Sequence, residues 1–280
     1  MSSPRSRLQG LLKAQGILPN KRLGQNFLVD PGVAERIVAQ AGLQPGEAVV
    51  EIGPGLGSLT RPLLQRAGTV WCVERDARLI PPLRAQTAGI GELVVVQGDA
   101  LEVDYRELSR SLGAPLRVVA NLPYGISTPL LLHFLAQRQA FAGLTLMFQS
   151  EVARRMVAGP GSKTYGTLSV HCGLWAEVEL LFEVPPEAFH PRPEVTSAVV
   201  GITLGREPAF PVADVERFGQ VVRAAFGQRR KTLVNALKGL DADPAGWLSR
   251  ADIDPRRRGE TLTVAEFAAL ADPGLATPVS

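Results

Sequence analysis

Four short, largely apolar runs, at residues 48–52, 69–73, 93–96 and 116–120, are separated by stretches with helical spacing. Runs of this length, bounded by glycine or polar residues, read as strands buried on both faces of a sheet. A helix between two such strands carries the chain back over the sheet and leaves the strands parallel. The pattern therefore predicts an α/β fold with a mostly parallel, doubly wound sheet. Later stretches at 144–149, 174–182 and 195–204 bring the strand count to seven, with the last two as an antiparallel pair at the sheet edge. In open sheets of this kind ligands bind outside the carboxyl ends of the strands. The residues just after each run are thus the candidate site.

The first run passes directly into Gly53-Pro54-Gly55-Leu56-Gly57. Glycines at such a turn let a ligand approach the backbone without meeting a Cβ. The spacing is G-x-G-x-G rather than the G-x-G-x-x-G of dinucleotide sites, and Pro54 lacks an N–H that a pyrophosphate would use. Glu74 follows the second run, where an acid can accept ribose hydroxyls. Asp99 follows the third, where an acid can accept from the exocyclic amine of an adenine, with the Ala100 N–H beside it. Either acid alone reads as a solvated loop residue; together with the glycine loop they outline a pocket for an adenosyl group without phosphates. The fourth run ends at Asn121-Leu122-Pro123-Tyr124. Asn121 offers an amide donor and acceptor, Leu122 a carbonyl, Pro123 a stiffened turn, and Tyr124 a ring that can lie against a planar base. Such residues also make ordinary turns, but beside an adenosyl pocket they suit an aromatic amine.

Upstream, Arg5, Arg7 and Lys13 around Leu8, Leu11 and Leu12 suggest a short amphipathic helix with a basic face. Asp30 and Pro31 start a further helix as N-cap and first residue, and Ser58 or Thr60 is placed to cap the helix after the glycine loop. Residues 151–158 form a helix with Arg154 and Arg155. Around 205–212 the character changes: Pro208 and Pro211 mark a linker, and helical spacing follows at 215–226, 231–240, 245–251 and 264–271. The expected division is a ligand-binding domain over 1–207 and a small helical domain over 208–280.

A net charge of +3 and a pI near 9.1 permit binding to a polyanion without demanding it. The clusters say more: Lys21 and Arg22, Arg154 and Arg155, Arg229-Arg230-Lys231 and Arg256-Arg257-Arg258 can each neutralise phosphates. The two cysteines, Cys72 and Cys172, are far apart and lack a CxxC partner, so neither a disulfide nor a metal site is expected. No leader segment and no bilayer-spanning stretch is visible, and a reducing, cytoplasmic setting is the simplest reading.

Taken in order, Leu23-Gly24-Gln25-Asn26-Phe27-Leu28, Glu51 to Gly57, Gly98-Asp99-Ala100 and Asn121-Leu122-Pro123-Tyr124 resemble the ribosomal RNA adenine N6-dimethyltransferases of the KsgA type. The resemblance continues through Met147-Phe148-Gln149-Ser150-Glu151, Tyr165-Gly166-Thr167-Leu168, Phe189-His190-Pro191-Arg192-Pro193 and Phe226-Gly227-Gln228-Arg229-Arg230-Lys231. It implies a Rossmann-like methyltransferase with a C-terminal helical RNA-binding domain. It further implies transfer of methyl groups from S-adenosylmethionine, without a metal, to two adjacent adenosines near the 3′ end of small-subunit ribosomal RNA. By motif, Gln25, Asn26 and Leu28 would close over the cofactor, Gly53 and Gly55 would meet it through the backbone, Glu74 would take its ribose, and Asp99 with Ala100 its adenine. Asn121 would sit between cofactor and target, where it and the Leu122 carbonyl accept the amine N–H bonds. Tyr124 would stack on one face of the target base and Phe189 on the other. The partner implied is the small ribosomal subunit or its precursor, met by a monomer. Gly125 departs from the pattern, where an asparagine is expected. A DNA adenine methyltransferase, which more usually carries a second proline before the tyrosine, and an assembly factor with little turnover stay open as alternatives.

Overall fold

The structure, a computed structural model, describes residues 3–20 and 24–275. Lys21 and Arg22, expected to touch RNA, lie outside the described residues. The chain divides into two compact units, one of Met1–Ala153 with Val178–Leu204, the other of Arg154–Glu177 with Gly205–Ser280.

The first unit is built on strands β1 (Ala48–Ile52), β2 (Thr69–Glu74), β3 (Glu92–Gln97), β4 (Leu116–Asn121), β5 (Phe141–Gln149), β6 (Ala176–Val184) and β7 (Ser197–Leu204). They form one sheet in the order β3-β2-β1-β4-β5-β7-β6. β1 to β5 pair in parallel, and β7 lies antiparallel to β5 with Gln149 opposite Ser197. The two final strands do close one side of the sheet, although the expected strand at 174–182 is displaced. Residues 174 and 175 finish a helix instead, and β6 starts only at Ala176.

The order reverses at β1, which pairs with β2 on one side and β4 on the other. A crevice therefore opens at the carboxyl ends of these strands. Every residue of β1 is buried. Helices α2 (Pro31–Gln40) and α3 (Thr60–Ala67) cover the sheet, followed along the chain by α4 (Ile80–Thr87), α5 (Tyr105–Leu112) and α6 (Ser127–Ala136), with Ile37, Leu63 and Leu64 joining Val49, Val70 and Cys72 in one core cluster. Each such side chain contributes roughly 1.5–3 kcal/mol through removal from water.

Asp30 caps α2 as its position in the sequence indicates, its carboxylate accepting from the Gly32 and Val33 amides at 2.9 and 3.3 Å. α3 has no side-chain cap. Ser58 donates instead to the Leu28 carbonyl at 2.6 Å, and Thr60 to the Glu51 carboxylate at 2.6 Å. Helix α1 (Pro4–Ala14) turns Leu8 and Leu12 onto a cluster with Ile17, Phe27, Leu56 and Leu79. Its Arg5 is a tie rather than part of a free basic face: it donates to the Glu187 and Phe189 carbonyls at 2.7 and 3.0 Å. That anchors the short strand Phe189–His190, which pairs antiparallel with Phe27–Leu28.

The second unit contains α8 (Thr167–Trp175), α9 (Val215–Gly227), α10 (Leu233–Ala236), α11 (Pro244–Arg250) and α12 (Val264–Leu270); α7 (Ser150–Met156) begins in the first unit and ends in this one. Residues 154–177, expected within the larger domain, belong here. The reason is packing: Tyr165 is buried, donates to the Leu262 carbonyl at 2.8 Å and meets the Phe226 ring. The Gly161 amide donates to the Glu260 carbonyl at 2.7 Å. The helix expected over 231–240 is a single turn, whose first amides at Leu233 and Val234 donate to the carbonyls of Arg257 and Pro255. Among the described residues, no helix is long and apolar enough to cross a membrane.

Candidate active site

A cavity of about 200 Å³ lies in the crevice at the carboxyl ends of β1 to β4. Gly53, Gly55, Glu74, Asp99, Ala100 and Asn121 line it, with Leu122, Pro123 and Tyr124 continuing the wall beyond β4. Gln25, Asn26 and Leu28 line it too, from the segment around the Phe27–Leu28 strand.

The glycine loop is tightly held. Gly53 and Gly55 have φ of 64° and 59°, a region that strains any residue with a Cβ. A Cβ on Gly55 would stand 3.0 Å from the Phe27 ring, and one on Gly53 would stand 3.5 Å from Pro123. The loop thus runs between two rings with no side chain of its own at these points.

Three acids follow at strand ends. Glu74 is 5% exposed and accepts from the Asp76 amide at 2.7 Å and the Gly55 amide at 3.3 Å. Burial raises its pKa, and those two backbone donors oppose the rise. Asp99 accepts from the Leu101 amide at 3.0 Å and pairs with Arg75 at 3.1 Å. The Ala100 carbonyl beside it is fixed by the Tyr105 hydroxyl at 3.0 Å. Asp76, which sequence reasoning passed over, is held at about 2 chiefly by the hydrogen bonds of Arg78. It also takes the Gln25 amide at 3.0 Å. Since the other end of that amide accepts from the Asn20 N–H at 2.8 Å, Gln25 spends its side chain bracing the loop.

Glu51 is a further residue that the sequence reading left without a role. It is 2% exposed, lines the cavity, and sits in the otherwise apolar β1. Thr60 donates to it, Cys72 Sγ lies 3.6 Å away, and burial pushes its pKa up to about 8. An acid inside a fully buried strand was the signal that could have marked it.

At the end of β4, Asn121 Nδ2 donates to the Asn26 carbonyl at 3.2 Å, which leaves Oδ1 without a hydrogen bond among the described residues. The Tyr124 hydroxyl lies 2.6 Å from that of Ser197, and the Tyr124 carbonyl accepts from Ser127 at 3.0 Å. Burial raises the pKa of the phenol, which stays neutral at physiological pH. Phe189 does not join this wall. It is fully buried in the core cluster with Leu28, Ala188 and Val199, and its backbone pairs with Leu28. An aromatic beside two prolines carries no signal for which way its ring faces; here it faces the core, so the expected second stacking ring is corrected.

The basic runs are divided in their use. Arg154, Arg155, Arg230, Lys231 and Arg258 are exposed. Arg256 is exposed but paired with Asp254 at 3.1 Å. Arg229 donates to the Lys163 and Tyr165 carbonyls at 3.1 and 3.2 Å. Arg257 turns inward to Glu266 at 2.5 and 3.1 Å and to the Thr261 carbonyl at 2.7 Å. Among the described residues, no three His, Cys, Asp or Glu side chains gather to hold a metal.

This sheet order, with an antiparallel strand inserted next to β5 and a glycine loop and acids around one crevice, is the architecture of a Rossmann-like methyltransferase. Residues 18–272 match the family model for ribosomal RNA adenine dimethylase, and the chain belongs to that family of enzymes. It is 56% identical to the ribosomal RNA small subunit methyltransferase A of Magnetococcus marinus, over 97% of each chain. Identity to the protein of the same name from Moorella thermoacetica is 46%, over 94% of this chain and 95% of that one. Among solved structures, a dimethyladenosine transferase from Plasmodium falciparum superposes with a TM-score of 0.70 at 25% identity, covering 86% of this chain and 94% of that one. The 23S rRNA methyltransferase ErmE gives 0.66 at 27% identity, covering 88% and 98%.

Proposed function

We propose that the chain uses S-adenosylmethionine to dimethylate N6 of two adjacent adenosines in a hairpin loop near the 3′ end of small-subunit (16S) rRNA, acting in small-subunit biogenesis. The observation that carries this reading is the position of Asn121. Among the described residues its carbonyl oxygen has no hydrogen-bond partner, and it lies at the edge of the cleft that Glu74 and Asp99 line.

The cleft suits an adenosyl group. Two carboxylates stand where ribose hydroxyls and an exocyclic amine would be, and Pro54 cannot donate to a phosphate. S-adenosylmethionine bound there supplies an electrophilic methyl group on a charged sulfur and leaves as S-adenosylhomocysteine. Glu74 would accept the ribose hydroxyls, Asp99 and the Ala100 N–H would hold the adenine, and Gly53 and Gly55 would meet the cofactor through their backbone. Asn26 and Leu28 cover this side, with Gln25 bracing them.

For the target, Asn121 Oδ1 and the Leu122 carbonyl accept the two N–H bonds of N6. This turns the nitrogen lone pair, otherwise delocalised into the ring, towards the methyl donor. No tuned base is required, since the methylated amine can lose its proton afterwards. Orientation of two bound reactants is worth up to about 7–11 kcal/mol of barrier. Tyr124 provides one stacking face. An adenine leaves its stack at least cost from an unpaired loop, and Arg154, Arg155, Arg230, Lys231, Arg256 and Arg258 hold the flanking phosphates. The partner is the small subunit or its precursor, met by a monomer in the cytoplasm.

Incubation with labelled S-adenosylmethionine and unmethylated small subunits, naked RNA or DNA tests this. Label is expected in the RNA of the subunit. Label confined to DNA, or subunit binding without turnover, would overturn the reading.

A further inference from the structure

We infer that Ser197 is a positioning residue for methyl transfer, anchoring the phenol end of Tyr124 from the start of β7. The inference rests on the proposed role of Tyr124 as the stacking surface for the target base. Ser197 opens β7, opposite Gln149 of β5, and is fully buried at the start of an apolar stretch. It does not line the cleft in which cofactor and base are proposed to lie. A hydroxyl buried there costs about 1–3 kcal/mol unless it is hydrogen-bonded, and the partner it has is the Tyr124 hydroxyl, 2.6 Å away and 73 positions earlier in the chain.

The rest of Tyr124 is held by its backbone. Its carbonyl accepts from the buried Ser127 hydroxyl at 3.0 Å and from the Ser127 amide. Those contacts fix where the residue begins but leave the first side-chain torsion open, and that torsion carries the phenol oxygen from one staggered well to another. The phenol end supplies the missing restraint. A neutral phenol, favoured by burial, keeps its proton for this bond. Ser127 thus holds the backbone end of Tyr124 and Ser197 the phenol end, and the strand inserted antiparallel beside β5 thereby acts on the target pocket.

The test is single-turnover methyl transfer from labelled S-adenosylmethionine to unmethylated small subunits, with Ser197→Ala, Ser197→Thr, Tyr124→Phe, Tyr124→Ala and the Ser197→Ala/Tyr124→Phe double variant. Loss of one neutral hydrogen bond predicts a fall of about two- to tenfold in the rate for Ser197→Ala and for Tyr124→Phe. The KM for S-adenosylmethionine stays unchanged, Ser197→Thr recovers the rate, and the double variant is no slower than either single one. Tyr124→Phe removes the same bond from the other side, so it carries the test even where Ser197→Ala does not fold. A parental rate for Tyr124→Phe, or losses that multiply in the double variant, would overturn the role of Ser197. If Tyr124→Ala is slow while those results hold, the stacking role stands and only the Ser197 inference fails; a parental rate for Tyr124→Ala would remove both.

Discussion

The Thr60 hydroxyl donates a 2.6 Å hydrogen bond to the Glu51 carboxyl group in the floor of the cleft, where neither residue meets solvent. Burial raises the Glu51 pKa from 4.5 to about 8, so the folded protein holds a proton at neutral pH that the unfolded chain has released. Stability linked to this group is fully present below about pH 4.5 and is lost as pH rises through 8. Glu51→Gln mimics the protonated acid and removes that slope. Urea unfolding at pH 5, 6.5 and 8 should show the variant gaining on the parent as pH rises, by on the order of 5 kcal/mol at full ionisation. Parallel profiles would refute this.

Glu74 already accepts from two backbone amides, and in the proposed complex it accepts ribose hydroxyls as well. Replacing a charged acceptor by an amide costs about 1.5–3 kcal/mol. Glu74→Gln should therefore weaken binding of S-adenosylhomocysteine, followed by calorimetry, by at least about tenfold. An unchanged Kd would take Glu74 out of the cofactor site.

Gly55 and Gly125, both on the wall of the cleft, should respond oppositely. Gly55→Ala meets the Phe27 ring at 3.0 Å with φ at 59°, and should lower stability by about 1–2 kcal/mol and abolish cofactor binding. Nothing stands within 4 Å of a Cβ on Gly125, and its φ is not positive. Gly125→Asn should fold as the parent does, with a melting temperature within about 2 °C, which corresponds to a surface change of under 0.5 kcal/mol.

The run Arg256-Arg257-Arg258 should split in two. Arg257 holds Glu266, which also caps α12 through the Thr263 amide at 2.7 Å. Arg257→Ala should destabilise the protein by about 1–3 kcal/mol. Arg258→Ala should leave stability unchanged and reduce the slope of log affinity for RNA against log salt by about 1. Equal effects on both properties would contradict the division.

The strands were legible because parallel strands of a covered sheet carry largely apolar runs, and 48–52, 69–73, 93–96 and 116–120 each appear within about a residue of their observed ends, although 93–96 lies in the edge strand β3 and is only partly buried. Gly53, Gly55, Glu74, Asp99, Ala100 and Asn121 to Tyr124 followed from the same rule, since they lie at or just beyond strand ends, whereas Gln25, Asn26 and Leu28 came only from the family resemblance and Glu51, inside β1, was missed. What failed depended on partners far away in the chain. Ser58 and Thr60 look like helix caps, but Leu28 and Glu51 claim their hydroxyls. Phe189 looks like a stacking ring, but its strand pairs with Leu28 and turns it inward. Residues 154–177 left the larger unit because Tyr165 finds its hydrogen-bond partner at Leu262, a contact 97 positions away. Arg257 could not be told from its neighbours until Glu266 was seen opposite it.

The most direct measurement is nucleoside mass spectrometry of small-subunit RNA after incubation with labelled S-adenosylmethionine and either the parent enzyme or Asn121→Ala. The account predicts N6,N6-dimethyladenosine at two adjacent positions near the 3′ end with the parent, and its loss by at least about a hundredfold with the variant, as expected when the group that orients the amine is removed. Label on another base or another ring position, or equal yields of dimethyladenosine from the two proteins, would contradict it.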